Sequence, residues 1–140
     1  MTASTRDLIV RHWQLANHRR WEAFAELLHQ DLVYEVPQTR EYIESGEGYL
    51  DMFRTWPGDW VAEIQELVCE PHKAVCIINF KVGPERMTGI SVFSVAQGQI
   101  CSVTDYWPDP YEPPPRLSTY FKRRPPVADS DGSPQWNARP

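Results

Sequence analysis

The chain has 140 residues, 41% of them hydrophobic, with six Trp, six Tyr and five Phe. That length and aromatic content suit one compact domain with a sizeable core and exclude a chain disordered throughout. Fourteen basic residues against nineteen acidic ones give a net charge of -5, and no basic cluster precedes the C-terminal region, so nucleic acid is excluded as an expected partner.

Ser4 or Thr5 can cap a first helix in which Leu8, Ile9, His12, Leu15 and Ala16 recur at helical spacing. After a break at "NHRR", Trp21, Phe24, Ala25, Leu27 and Leu28 make the apolar stripe of a second short helix. "DLVYEVP" reads as a strand, "QTREYIES" as a turn with a second extended stretch, and "GYLDMFRTWPG" as a third helix stopped by Pro57-Gly58. From Trp60 the period becomes two. "DWVAEIQELVCE", "KAVCIINFKV", "ERMTGISVFSVAQG" and "QICSVTDYW" are strands joined by short polar or glycine-containing turns. Helices followed by an antiparallel meander predict an α+β fold in which three helical segments cover the concave side of a bent sheet.

Beyond the last strand, "PDPYEPPP" cannot continue a ladder, and it is expected to lie extended along the body with Tyr111 as its anchor. "RLSTYFKRR" is expected to add a strand or short helix, so that the domain spans residues 1–124, with a flexible tail over 125–140.

Cys69, Cys76 and Cys101 are odd in number and lack a CxxC spacing, which points to small buried groups of a reducing compartment, with a reactive thiol as the alternative. The four histidines form no zinc pattern, the glycines form no phosphate loop, and Ser91 and Ser94 lie in a strand rather than at a nucleophile elbow. Neither metal nor cofactor is expected. The opening "MTASTRDLIVRHW" lacks the basic region and apolar run of a secretion signal, and no stretch reaches membrane-spanning length, so the expected location is cytoplasmic, away from any membrane.

The sharpest chemical candidate is Asp105, which alternation places on the same face as Val103 and Trp107. An inward carboxylate must be hydrogen-bonded, paired or in contact with cavity water, and burial raises its proton affinity into a range useful for acid–base work. Its other reading is a structural Asp near a strand end. His12 lies in phase with the inward face of the first helix, either as a proton carrier facing the cavity or as a core histidine. Tyr34 shares a face with Val36 and offers a pocket hydroxyl, whereas Glu35 points the other way. Trp13, Tyr42, Phe53, Trp56, Phe80, Phe93 and Trp107 are the candidate lining of a pocket for a small hydrophobic organic ligand, with core packing as the competing use of the same rings.

Over residues 5 to 112, "LIVRHWQLANHRRWEAFAELLHQDLVYEVP", "ESGEGYLDMFRTWPGDW" and "ISVFSVAQGQICSVTDYWPDPYEPP" occur in an order that resembles the SnoaL-like branch of the nuclear-transport-factor-2-like superfamily. The resemblance implies a cone-shaped α+β fold with a curved, mostly antiparallel sheet around the N-terminal helices, commonly a homodimer and often with a ligand cavity. It also implies a choice among polyketide cyclases, steroid-isomerising enzymes, epoxide hydrolases and noncatalytic binders. Asp105 is the positional match to the cyclase acid, with Tyr106 where that pattern favours histidine. His12 and Val36 stand where a steroid isomerase carries tyrosine and an acid, and Asn79 and Lys81 do not supply the epoxide-hydrolase network. The expected activity is that of a cofactor-independent cyclase or isomerase for a small hydrophobic carbonyl compound, with Asp105, His12 and Tyr34 as its acid–base groups. The alternatives are a noncatalytic ligand binder and a dimeric interaction protein with a vestigial pocket. Ile77, Ile90 and Val92, on the outer side of the meander, are the expected dimer surface.

Overall fold

The computed structural model of the protein describes residues 4–126. Three helices, α1 (Thr5–Asn17), α2 (Trp21–Glu26) and α3 (Gly46–Thr55), pack on a sheet of six strands: β1 (Leu28–Val36), β2 (Glu41–Ile43), β3 (Trp60–Glu70), β4 (Lys73–Val82), β5 (Glu85–Ala96) and β6 (Gln99–Tyr106). The sheet order is β2-β1-β6-β5-β4-β3, antiparallel throughout except for the β1–β6 pair. The α+β fold with helices on one side of a bent sheet is as expected.

Ser4 caps α1, its hydroxyl accepting from the Asp7 N–H, and Ser45 caps α3 through the Gly48 N–H; each supplies an acceptor to a helix start that otherwise lacks one. At the "NHRR" break Arg19 takes a left-handed backbone conformation (φ 59°). Its guanidinium donates to the Ala16, Asn17 and Trp60 carbonyls and lies 3.9 Å over the Trp60 ring, tying the end of α1 to the start of β3. The second helix is shorter than its apolar stripe predicts. Leu27 leaves the helix because its carbonyl accepts from the Ile100 N–H at 2.8 Å, and Leu28 pairs with Ile100 as β1 begins, so the contact with β6 overrides helical periodicity.

Inward residues of β4, β5 and β6 face the helices across one core containing Phe24, Tyr49, Phe93, Ile100 and Val103. Their outward neighbours, among them Ile77, Ile90 and Val92, are half-buried on the convex side. Cys76 is fully buried, and Cys69 and Cys101 are half-buried; all three are free thiols. Among the described residues no helix is long and apolar enough to cross a membrane.

Two expectations for the C-terminal region are corrected. Tyr111 is exposed rather than anchored among the described residues. Residues 116–124 form neither strand nor helix. The prolines on both sides deny this stretch a regular ladder, and β6, which leads into it, already has neighbours on both edges. The tail expected over 125–140 lies, from residue 127 onward, outside the described residues.

Candidate active site

At the open end of the cone a cavity of about 590 Å³ reaches into the concave side of the sheet, within the size range of small-molecule sites. Its walls are rich in aromatic rings: Trp13 from α1, Phe53 and Trp56 from the end of α3, Phe80 from β4 and Trp107 just after β6. The β1–β2 turn and β2 supply the mouth, with Arg40 and Tyr42 respectively.

Asp105 lies in the cavity lining, only 5% exposed. Strand register brings its two hydrogen-bond donors to it. Ser91, its partner across the β5–β6 ladder, donates from Oγ to Oδ1 at 2.6 Å. Tyr34, on the β1 strand beside β6, donates its phenolic hydrogen to Oδ2 at 2.7 Å. Burial pushes the Asp105 carboxyl up from 3.8 to about 6, against the two hydroxyl bonds, which favour the charged form and pull it down. Burial and the facing Asp105 charge hold the Tyr34 phenol far above its ordinary value, while the Trp107 indole N–H acts in the opposite sense.

Trp107 owes its place to two neighbours. Gln38 pins its backbone from both sides, accepting from the Trp107 N–H at 2.6 Å and donating to its carbonyl at 3.0 Å. Gly89 clears its ring: a Cβ at residue 89 would stand 2.9 Å from Trp107 Cζ3 and 3.1 Å from Ile78 Cγ1.

Of the predicted site residues, Asp105, Tyr34, Trp13, Tyr42, Phe53, Trp56, Phe80 and Trp107 meet around this one cavity. His12 and Phe93 do not line it. Both are fully buried behind it. His12 Nε2 bonds the Tyr49 hydroxyl at 2.8 Å, and the ring is enclosed by Trp13, Phe24, Phe53 and Phe93. Helical phase sends His12 inward, but the core ring cluster rather than the cavity receives it. Burial drops its pKa from 6.5 to about 3, so it is neutral at physiological pH, with Nδ1 lacking a partner.

Sequence reasoning missed Ser91 and Tyr49. Ser91 shares the inward face of β5 with Phe93, which is the signal that was available. Tyr49 lies on the apolar side of α3, but nothing local marks it as the partner of His12. A second, more open depression of about 630 Å³ lies between the start of α1 and the β3–β4 turn. Two of its polar side chains are engaged, with Thr5 donating to the Pro71 carbonyl and Arg6 to that of Leu67. Among the described residues no group of three or more His, Cys, Asp or Glu is placed to hold a metal ion.

The sequence profile of the SnoaL-like domain matches residues 9–103, which span every element named above except the ends of α1 and β6. The chain belongs to the SnoaL-like family. Among solved structures, this SnoaL-like protein is similar to a candidate ketosteroid isomerase from Kribbella flavida, 38% identical over 86% of this chain and 90% of that one, with a TM-score of 0.82. A candidate SnoaL-like polyketide cyclase from Shewanella putrefaciens shares the fold at 10% identity, covering 73% of this chain and 78% of that one (TM-score 0.63). An epoxide hydrolase from Mycobacterium tuberculosis does so at 18%, covering 73% and 80% (TM-score 0.62). No curated protein matches the chain.

Proposed function

We propose that this SnoaL-like protein binds a small hydrophobic carbonyl compound and moves a proton on it without a cofactor, as an isomerase or cyclase. The supporting observation is Asp105 in the lining of an aromatic cavity, with Ser91 and Tyr34 on its two oxygens and its carboxyl raised to about 6. A base of that strength is largely ionised at neutral pH and still binds a proton readily.

In the proposed step, Asp105 takes the proton from a carbon next to the ligand carbonyl. The C–H bond breaks, an O–H bond forms on Asp105, and the electron pair moves onto the carbonyl oxygen as an enolate. Protonation of Oδ2 cancels the charge that held the Tyr34 hydrogen there and leaves a weaker acceptor. The Tyr34 hydroxyl then turns its hydrogen to the enolate oxygen, where a donor is worth most in a desolvated site. Asp105 returns the proton at another carbon in an isomerisation. In a cyclisation the enolate carbon attacks a second carbonyl and the proton goes to the resulting alkoxide. The 38% identical Kribbella flavida protein named as a candidate ketosteroid isomerase favours the first course. His12, screened from the cavity, has no part in either.

A panel of unsaturated ketones and enolisable polyketides tests this. Asp105→Asn should keep the fold and lower turnover by about two or more orders of magnitude. Equal turnover by the variant rejects the role of Asp105. One observation favours a silent binding protein instead: both Asp105 oxygens already accept hydroxyl hydrogens, as in a structural carboxylate. Binding of the same ketones without turnover by the parent decides for that reading.

The proposal includes a homodimer joined through the convex face of the sheet. Ile77 and Ile90, register partners on β4 and β5, and Val92 are half-buried there. A contiguous apolar surface of this kind favours a self-complementary contact. Sedimentation across protein concentrations tests it.

A further inference from the structure

Residues 107–126 form an arm that is fixed at its root and exposed throughout from residue 114 onward. The root is Trp107, held by Gln38 on both sides of its peptide. Beyond it, the polar and ring contacts of the arm among the described residues are internal. Arg123 is paired with Glu112 at 2.8 Å, Arg116 lies 3.9 Å over the Phe121 ring, and the Tyr120 N–H donates to Ser118 Oγ. These contacts and the prolines at 108, 110, 113, 114 and 115 fold the arm back on itself into a closed loop. At its tip Leu117 is 101% exposed and Tyr120 is 92% exposed.

A loop with its own internal ties and two uncovered apolar side chains at its tip is already ordered for binding, so little further entropy is lost when a surface covers it. The single chain holds a second uncovered apolar surface on the outer face near the β3 edge, where the register partners Val68 and Val75 are exposed. Among the described residues both surfaces are bare on one chain: the arm tip and the Val68–Val75 pair are exposed together. Their charge balance is complementary. Residues 107–126 carry four basic and two acidic side chains, whereas the outer side of β3 carries Glu63, Glu66 and Glu70 against Lys73 and Lys81 on β4. Large aromatic side chains bury roughly 150–250 Å² each. With Tyr111, Leu117, Tyr120 and Phe121 covered on each of two arms, on the order of 1,200 Å² of arm surface is removed from water, before the surface it covers is counted, which is the scale of a stable interface.

We propose that the arm is a clasp between two copies of this chain, the Leu117–Tyr120 tip of each packing on the β3–β4 outer face of the other. The clasp rests on the homodimer proposed above, and a two-fold arrangement uses both arms equivalently.

The full chain is prepared with Tyr120→benzoylphenylalanine, a photoreactive side chain, and mixed as ¹⁵N-labelled and unlabelled protein. Sedimentation gives the oligomeric state. Irradiation and mass spectrometry then show which peptides the tip touches and whether they belong to the same chain. The clasp predicts a dimer and cross-links joining labelled to unlabelled chains, landing on the peptides of β3 and β4. A second variant, Leu117→Ser with Tyr120→Ser, should weaken the dimer about tenfold or more, as loss of buried anchors does at an interface. A dimer with cross-links confined to one chain, or with none, overturns the clasp while leaving the dimer. A monomer at all concentrations overturns both.

Discussion

Ser91 and Asp105 face each other as register partners on β5 and β6, and the Ser91 hydroxyl donates to Asp105 Oδ1 at 2.6 Å. The acidity of the proposed base is therefore set by strand register as well as by burial. A hydrogen bond to a carboxylate contributes about 1.5–3 kcal/mol, and one pKa unit corresponds to about 1.4 kcal/mol. Ser91→Ala should therefore move the Asp105 titration upward from about 6 by on the order of one unit. In a pH–rate profile, the rise from inactive acid to active base should shift to higher pH while the alkaline plateau changes only a few-fold. An unmoved midpoint separates Ser91 from the chemistry.

Tyr34→Phe removes the donor on Oδ2. The midpoint should again rise, because Tyr34 also favours the charged carboxylate. The proposed mechanism adds a second effect absent from Ser91→Ala: the plateau itself should fall by about 10²–10³, the usual loss when an oxyanion donor is deleted. Full profiles of the two variants, compared on their plateaus, check this. A Tyr34→Phe plateau equal to that of the parent leaves Tyr34 as a tuner of Asp105 only.

Gly89→Ala tests the cavity wall. The added Cβ would stand 2.9 Å from the Trp107 ring, whose backbone Gln38 holds in place, so the indole has to swing rather than slide. Overpacking of this kind costs about 1–3 kcal/mol. Thermal unfolding should show that loss, and titration with a solvatochromic naphthyl ketone should show affinity reduced about tenfold or more, since the displaced ring forms part of the lining. Unchanged affinity places the ligand away from Trp107.

The sequence made the meander and the Asp105 face legible because both depend on local signals: two-residue alternation, short turns, and proline just past Trp107. The same alternation puts Tyr34 and Asp105 inward on different strands, although only the β1–β6 pairing joins them. What stayed hidden was set by distant partners. Leu27 leaves its helical stripe for Ile100. His12 turns to Tyr49 on another helix, and the helical period that sends it inward does not distinguish the core from the cavity. The prolines of the arm announce an extended exit, but Tyr111 is exposed rather than docked on the described residues.

His12 and Asp105 should give stability two opposing pH dependences. His12 is held neutral in the fold, its pKa lowered from 6.5 to about 3 by burial. Between those values the unfolded chain binds a proton there that the folded chain does not, so this group makes stability fall as pH falls from 6.5 to about 3. Asp105 is raised from 3.8 to about 6, so between those values the folded chain holds a proton that the unfolded chain lacks. Its contribution is fully present below 3.8 and is lost as pH rises through about 6. From about pH 4 to 6 the two slopes cancel in the parent protein. Asp105→Asn removes one of them. Relative to the parent, the variant should gain stability with rising pH by about 1.4 kcal/mol per unit, up to about 3 kcal/mol over the window, and then level off. Urea unfolding of both proteins at half-unit steps from pH 4 to 8 reads the difference directly, because the other carboxylates contribute equally to each. A difference that stays constant across the window shows that Asp105 is not desolvated in solution as it is in the fold described above. His12→Gln supplies the converse: its stability advantage over the parent should appear only as pH falls below 6.5.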